Sequence, residues 1–215
     1  GNFKAVKMRV GSGDGTLAHS VARVKAAREG LADDIDIMCD AHGTFSVAEA
    51  KRFCREVAEC NIGWLEEPVV ADDKRGMAEV RASSDVPIST GESEFTRFAF
   101  RDLAELRACD IFQPDLSICG GITEAMRIEA IASAYQLRYA PHLWGGALTF
   151  AAGLQTMVVA STGFIVEYSL GANPMLHELA VEDFTVVDGH LDVPDRPGLG
   201  VTVDEDFVEK YRVKN

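Results

Sequence analysis

Six short apolar runs in the chain each end in an acid or a histidine: "DIDIMCD" at Asp40, "GWLEE" at Glu66, "VPISTGE" at Glu92, "CDIFQPD" at Asp115, "LRYAPH" at His142 and "GFIVE" at Glu167. The first three carboxylates, Asp40, Glu66 and Glu92, offer only oxygen ligands, which suits Mg²⁺ better than a soft metal. Spacing alone leaves Glu66 and Glu67 open as the ligand; Glu66 is favoured, and Glu67 is expected to pair with a nearby base. Asp115 and His142 are a carboxylate and an imidazole from successive runs. A carboxylate bonded to one ring nitrogen fixes the tautomer and raises the basicity of the other, so His142 is a candidate general base. Glu167 can accept a hydrogen bond from a substrate or, if protonated, donate one to an oxyanion.

The elements that must position these groups follow from their spacing. The terminal residues recur roughly every 25 residues, the length of one strand, turn, helix and return turn. Between the runs the pattern is helical. Residues 46–60 open with a capping box, Ser46 and Glu49, and carry Val47, Ala50, Phe53, Cys54 and Val57 on one face. Thr123 is placed to cap a second helix with Ile122 as its staple, and further helices are expected near 17–29, 74–83, 98–107 and 148–161. Strands alternating with helices imply a parallel sheet covered by helices. Only a βα-barrel gathers six successive strand ends around one centre, so the α/β barrel of TIM type is preferred to a doubly wound sheet. In the opening strand, "FKAVKMRVG", period two turns Val6, Met8 and Val10 to the helices and Ala5, Lys7 and Arg9 to the interior. Two inward cations facing a ring of acids are costly as packing and sensible as a site.

Composition narrows the partners. A net charge of −13 with no local run of Lys and Arg argues against nucleic acid and anionic membrane surfaces. Five cysteines without a C-x-x-C pair argue against a disulfide framework or zinc knuckle and fit a reducing cytoplasm. No segment has the length and apolarity of a membrane span. The chain opens on Gly1 directly into structured-looking sequence, which leads us to expect a missing front end.

In order and spacing, "K-x-R" at Lys7 to Arg9, "D-A-H-G" at Asp40 to Gly43, "W-L-E-E-P", "T-G-E", "Q-P-D-x-x-x-x-G-G" ending at Gly121, "A-P-H", "V-E-Y" and the late "P-G-L-G" resemble the enolase superfamily, in its mandelate racemase-like group. The resemblance implies abstraction of the proton α to a carboxylate, with Mg²⁺ on Asp40, Glu66 and Glu92, His142 as base held by Asp115, Lys7 near the substrate carboxylate and Glu167 on the electrophilic side. Arg9 stands where a racemase of the group carries a second lysine base, and an arginine is a poor proton acceptor. His42, two residues after Asp40, shares its strand face and matches the general acid of the group's acid-sugar dehydratases. The expected reaction is β-elimination of water from a small-molecule sugar acid to a 2-keto-3-deoxy acid. The rivals are a racemase or epimerase on the same fold and a non-catalytic barrel that binds Mg²⁺ or an acid.

The resemblance also sets the expected organisation. Residues 1–178 form a partial barrel of seven strands lacking its first βα unit, and 179–215 return to an N-terminal capping domain absent from this chain. Within that tail, "DG" at 188–189 signals a hairpin. Members of the family are commonly symmetric, so a homo-oligomer is expected.

Overall fold

The structure is a computed structural model and describes residues 2–213, the side chain of Asp14 excepted. Strands and helices alternate: β1 (Ala5–Arg9), α1 (Leu17–Gly30), β2 (Asp36–Asp40), α2 (Val47–Glu56), β3 (Trp64–Glu66), α3 (Lys74–Ala82), β4 (Ile88–Thr90), α4 (Thr96–Glu105), β5 (Ile111–Phe112), α5 (Ile122–Ala134), β6 (Arg138–Tyr139) and α6 (Ala147–Val159). The six strands make one parallel sheet in chain order, the arrangement of a βα-barrel. Register sets Arg9 opposite Asp40 and Asp40 opposite Glu66, so the strand-end groups collect at one rim.

The two faces of the sheet part by period two. Ile37, Cys39, Leu65, Ile88 and Phe112 pack outward with Val24, Phe53, Met77, Leu103 and Ile128 of the helices in the main core. Met38, Trp64, Ile111 and Ala140 form a smaller cluster on the other face, joined by Ala5, Phe164 and Ile165. In β1 the expected split holds for Met8 and Val10, which join the helix-side core, and for Ala5. Val6 is exposed on the outer strand of the sheet, with no strand paired on that side among the described residues.

Local signals decide most helix starts. α2 has the expected capping box, Ser46 Oγ accepting from Glu49 N while Ser46 N donates to the Glu49 carboxylate. Thr16 and Asp73 cap α1 and α3 by accepting from His19 N and Gly76 N, without the reciprocal bond. α2 ends at Glu56, with a separate 3₁₀ turn at Ala58–Cys60 completing the expected helical stretch. The expected Thr123 cap does not form. Gly120 and Gly121, at φ 117° and 82°, reverse the chain so sharply that α5 starts at an exposed Ile122, leaving Thr123 inside the first turn.

The run ending at Glu167, the seventh expected strand, also departs from expectation. It forms no ladder; a single bridge joins Gly163 to Tyr139, with Tyr139 N donating to Thr162 O at 3.0 Å. Residues 164–167 are held by side chains instead. Phe164 meets the edge of Trp64 at 6.1 Å and lies under the Arg138 guanidinium, and Glu167 reaches Lys7. Six strands rather than seven therefore make up the parallel sheet. The sheet curls far enough that its first strand and this run meet through Lys7 and Glu167 at 2.7 Å.

The tail adds α7 (Pro174–His177), β7 (Val186–Val187), β8 (His190–Leu191) and α8 (Glu205–Lys210). β7 and β8 pair antiparallel about Asp188 and Gly189, whose φ values of 49° and 76° are those of the expected tight hairpin turn. Phe184 packs on Phe150 of α6, and Leu179, Ala180 and Phe207 pack around Ala147. No helix among the described residues is long and apolar enough to cross a membrane.

Candidate active site

The candidate acids and histidines collect at the rim where the strands end, and Lys7 reaches them from within β1. Lys7, from the interior side of β1, donates to both oxygens of Glu66 at 2.8 and 3.0 Å and lies 2.7 Å from Glu167. Burial works against its charge, but Glu66 and Glu167 outweigh that and hold the ammonium firmly protonated. Arg9, at the end of β1, is half-exposed and donates to Asp40 Oδ2 at 2.9 Å. The other oxygen of Asp40 accepts from the backbone N of His42 at 2.8 Å.

Asp115 and His142 follow β5 and β6 and face each other across an isolated parallel bridge. His142 Nδ1 lies 2.8 Å from Asp115 Oδ2. The remaining oxygen, Oδ1, accepts from Ser117 N at 2.7 Å and from the Ser117 hydroxyl. Burial opposes the charge on Asp115, but the bonds from His142 and Ser117 outweigh it and lower its pKa. Burial likewise opposes protonation of His142, yet Asp115, Glu167 and Glu92 together push its pKa up to about 9. Glu167 accepts from Leu143 N at 3.0 Å and is held ionised against its burial by Lys7 and His142.

Glu92 stands between the two imidazoles. Its Oε1 is 3.1 Å from His42 Nδ1, and its Oε2 is 3.6 Å from His142 Nε2. His42 is exposed, Glu67 is 96% buried, and Glu67 Oε2 lies 3.9 Å from His42 Nδ1. Glu67 Oε1 is buried with no hydrogen-bond partner. Burial, followed by the charges of Glu92, Glu66 and Asp40, pushes Glu67 up to about 8. Burial and Glu66 raise Asp40, and burial, Glu66 and Asp40 raise Glu92 despite the opposing pull of His142.

Four mutually repelling carboxylates, Asp40, Glu66, Glu67 and Glu92, one of them with a partnerless buried oxygen, are the donor set a hard divalent cation wants, so the residues fit Mg²⁺. Ligand atoms of His42, Glu67 and Glu92 all lie within 4.8 Å of one another. The expected basic pairing falls on the wrong neighbour: Lys7 takes Glu66, and Glu67 has only the distant imidazole. The cause is period two, which points Lys7 and Glu66 into the same interior while Glu67, at φ 38°, has turned out of the strand toward the rim.

Three contributors escaped the sequence reading. Trp64 Nε1 and Gln113 Nε2 donate to Glu66 Oε2 at 3.0 and 2.9 Å, and Ser117 fixes Asp115. Trp64 and Gln113 each precede a chosen acid by two residues, a spacing that strand alternation would put on the same side. Lys7, Glu167, Gln113, Trp64 and Trp144 line a cavity of about 430 Å³ beside β1.

Residues 1–207 match the family model described as Enolase C-terminal domain-like. The D-galactarolactone cycloisomerase of Agrobacterium fabrum is 32% identical over 219 residues, covering 98% of this chain and 57% of that protein. The D-galactonate dehydratase of Xanthomonas oryzae pv. oryzae is 34% identical over 197 residues, covering 89% of this chain and 52% of that protein. A solved enolase from Bradyrhizobium complexed with magnesium and mandelic acid shares the fold at a TM-score of 0.88 and 30% identity, over 99% of this chain and 55% of that one. The chain thus spans about half the length of the curated relatives it matches.

Proposed function

The chain belongs to the enolase C-terminal domain-like family, and from that premise we propose that it is the catalytic barrel portion of a Mg²⁺-dependent acid-sugar dehydratase. The observation that carries this reading is the pair of imidazoles on the two oxygens of Glu92, His142 on one side and His42 on the other, with no second lysine base at Arg9. One base and one separate acid are what α,β-elimination needs, whereas inversion needs two bases on opposite faces. The dehydratase relative supports the substrate class, a sugar acid.

Asp40, Glu66 and Glu92 would hold Mg²⁺, with the partnerless oxygen of Glu67 close by, and the bound cation would supply positive charge for the anion that forms when the α-proton leaves. Asp115 keeps the proton of His142 on Nδ1, so Nε2 is the nitrogen that takes the α-proton. In the absence of a cation His142 is largely protonated at neutral pH, because Glu92 and Glu167 add to Asp115. Neutralising Glu92 removes one of those charges and lowers the pKa of the imidazole, with Asp115 and Glu167 still raising it. The Lys7 ammonium, fixed between Glu66 and Glu167, is placed to bind the substrate carboxylate. The electrons of the broken Cα–H bond are first held in that carboxylate-stabilised anion; they then form the Cα=Cβ bond as the Cβ–O bond breaks. His42 gives a proton to the departing hydroxyl, which leaves as water, and the resulting enol becomes the 2-keto-3-deoxy acid. We further read residues 1–178 as the partial barrel and 179–215 as the segment that returns to a capping domain.

The test is NMR of the full-length gene product with Mg²⁺ in D₂O against a panel of sugar acids and their lactones. Exchange of the α-proton with appearance of a keto-deoxy product is expected. An epimer in place of that product would overturn the dehydratase in favour of racemisation.

A further inference from the structure

Helices α4 and α5 pack side by side, and each buries one apolar face: Phe100, Leu103 and Ala104 from α4, Ala125, Ile128 and Ala132 from α5. One such face is all that a helix covering a sheet requires. The pair nevertheless carries a second apolar set that faces solvent. Phe95 is 68% exposed and Phe98 54%, and Leu106, Ile118, Ile122 and Tyr135 are exposed as well. Hydrogen bonds fasten the starts of the two helices together. Thr96 N donates to Cys119 O at 3.1 Å, and Arg97 reaches Glu124 with its backbone N at 2.9 Å and its guanidinium at 2.8 Å. Leu106 and Tyr135 stand at the other ends of the same helices. Phe95 is itself the N-cap of α4, where Ser, Thr, Asp or Asn is usual, and Glu124 of the neighbouring helix accepts from Arg97 N in place of a cap side chain. A position that normally closes a helix is thus given to an exposed ring.

The charges around this face balance. Arg97, Arg101 and Arg127 offset Asp102, Glu105 and Glu124, while Glu129, the remaining charge on the two helices, turns away to Ser161 and Thr162. The whole chain carries −13, so a second copy is repelled by the surface at large and meets no net charge here. Arg97 and Arg101 lie over the Phe98 ring at 4.5 and 5.8 Å. Aromatic rings framed by arginine are the usual make-up of an interface centre. We propose that the outer face of α4 and α5 is the surface by which two copies of this protein meet about a twofold axis, Phe95, Phe98 and Ile122 at its centre, the arginines of each copy facing the acids of the other. A twofold contact uses one patch twice, which a face holding equal numbers of both charges allows. A basic partner would be drawn instead to the acidic remainder of the surface, and an acidic one would find no excess of arginine here.

The test is analytical ultracentrifugation of the full-length gene product over a dilution series, with circular dichroism and melting temperature recorded alongside. Wild type should sediment as a dimer or a larger even-numbered assembly. Phe98→Glu, which leaves the buried faces of both helices untouched, should raise the dissociation constant of the assembly about tenfold or more and shift it to a smaller species with an unchanged dichroism spectrum. Phe95→Ser should act in the same direction and decides the matter if Phe98→Glu does not fold. Val158→Ser, which removes a comparably exposed apolar side chain from α6, should leave the mass at its wild-type value. A monomeric wild type overturns the proposal, as does a wild-type mass in both phenylalanine variants. If that unchanged mass comes with a lowered melting temperature, the face is covered within one copy by the rest of the gene product. Dissociation by Val158→Ser but not by Phe98→Glu or Phe95→Ser would overturn it too, by moving the contact to α6.

Discussion

On β2, Ile37 and Cys39 point to the helices and have no exposed surface, whereas Asp40 at the same strand's end turns to the rim among other acids. The contrast runs along the sheet. On the helix side Phe112 meets Phe100 edge-on at 5.0 Å within one continuous apolar core. On the interior side, Lys7, Glu66, Trp64 and Gln113 form a connected polar network in which Gln113 Oε1 has no partner. Burying charge and leaving polar atoms unpaired costs stability, and burying apolar area supplies it. One sheet therefore separates the two demands, stability on its outer face and chemistry on its inner one.

That division is most sharply tested by changing one large group on each face. His142→Asn should lower turnover by about 10²–10⁴-fold, the usual worth of a general base. Its Mg²⁺ affinity by calorimetry and its melting temperature should stay near wild type. Phe112→Ala should do the reverse, costing about 3–5 kcal/mol in urea unfolding while the fraction that remains folded keeps its activity per molecule. A His142→Asn protein as unstable as Phe112→Ala would break the comparison, because the interior would then be holding the fold together.

The same division explains what the sequence disclosed. The strand-end acids and histidines were legible because each closes an apolar run at a near-constant interval, and the capping box at Ser46 and Glu49 because it is purely local. The run ending at Glu167 does not form the strand its composition suggests. "GFIVE" has the composition of a strand, but whether it pairs depends on neighbours that composition does not describe, and here Phe164 and Glu167 are held by side chains. Thr123 was misread because two successive glycines moved the helix start. The roles of Glu66 and Glu67 were indistinct in the sequence, since a positive φ at Glu67 ends the alternation that strand logic extrapolates. Ser117 gave no signal; its bond to Asp115 is made within a turn.

The smallest expected effect concerns the crowding of the carboxylates. Glu67, at about 8 in the folded protein against an ordinary 4.5, binds its proton more tightly when folded. Its contribution to stability is therefore full below about pH 4.5 and is lost as pH rises through 8. Asp40 and Glu92 are raised and act in the same direction, as does His142, whose folded value of about 9 exceeds its ordinary 6.5. Asp115 and Glu167 are lowered, so their contribution fades only in acid, below their ordinary values of 3.8 and 4.5, and does not mask the trend. Metal-free protein should accordingly lose about 1–3 kcal/mol in urea unfolding between about pH 5 and 8. Glu67→Gln should flatten part of that slope, because a neutral amide removes one of the repelling charges. Mg²⁺ should restore stability at the alkaline end, where the carboxylates are free to bind it, and have little effect near pH 5. A slope indifferent to Mg²⁺ would mean that these carboxylates are not its ligands, and the interior polar layer would then need a different explanation from the one the cation provides.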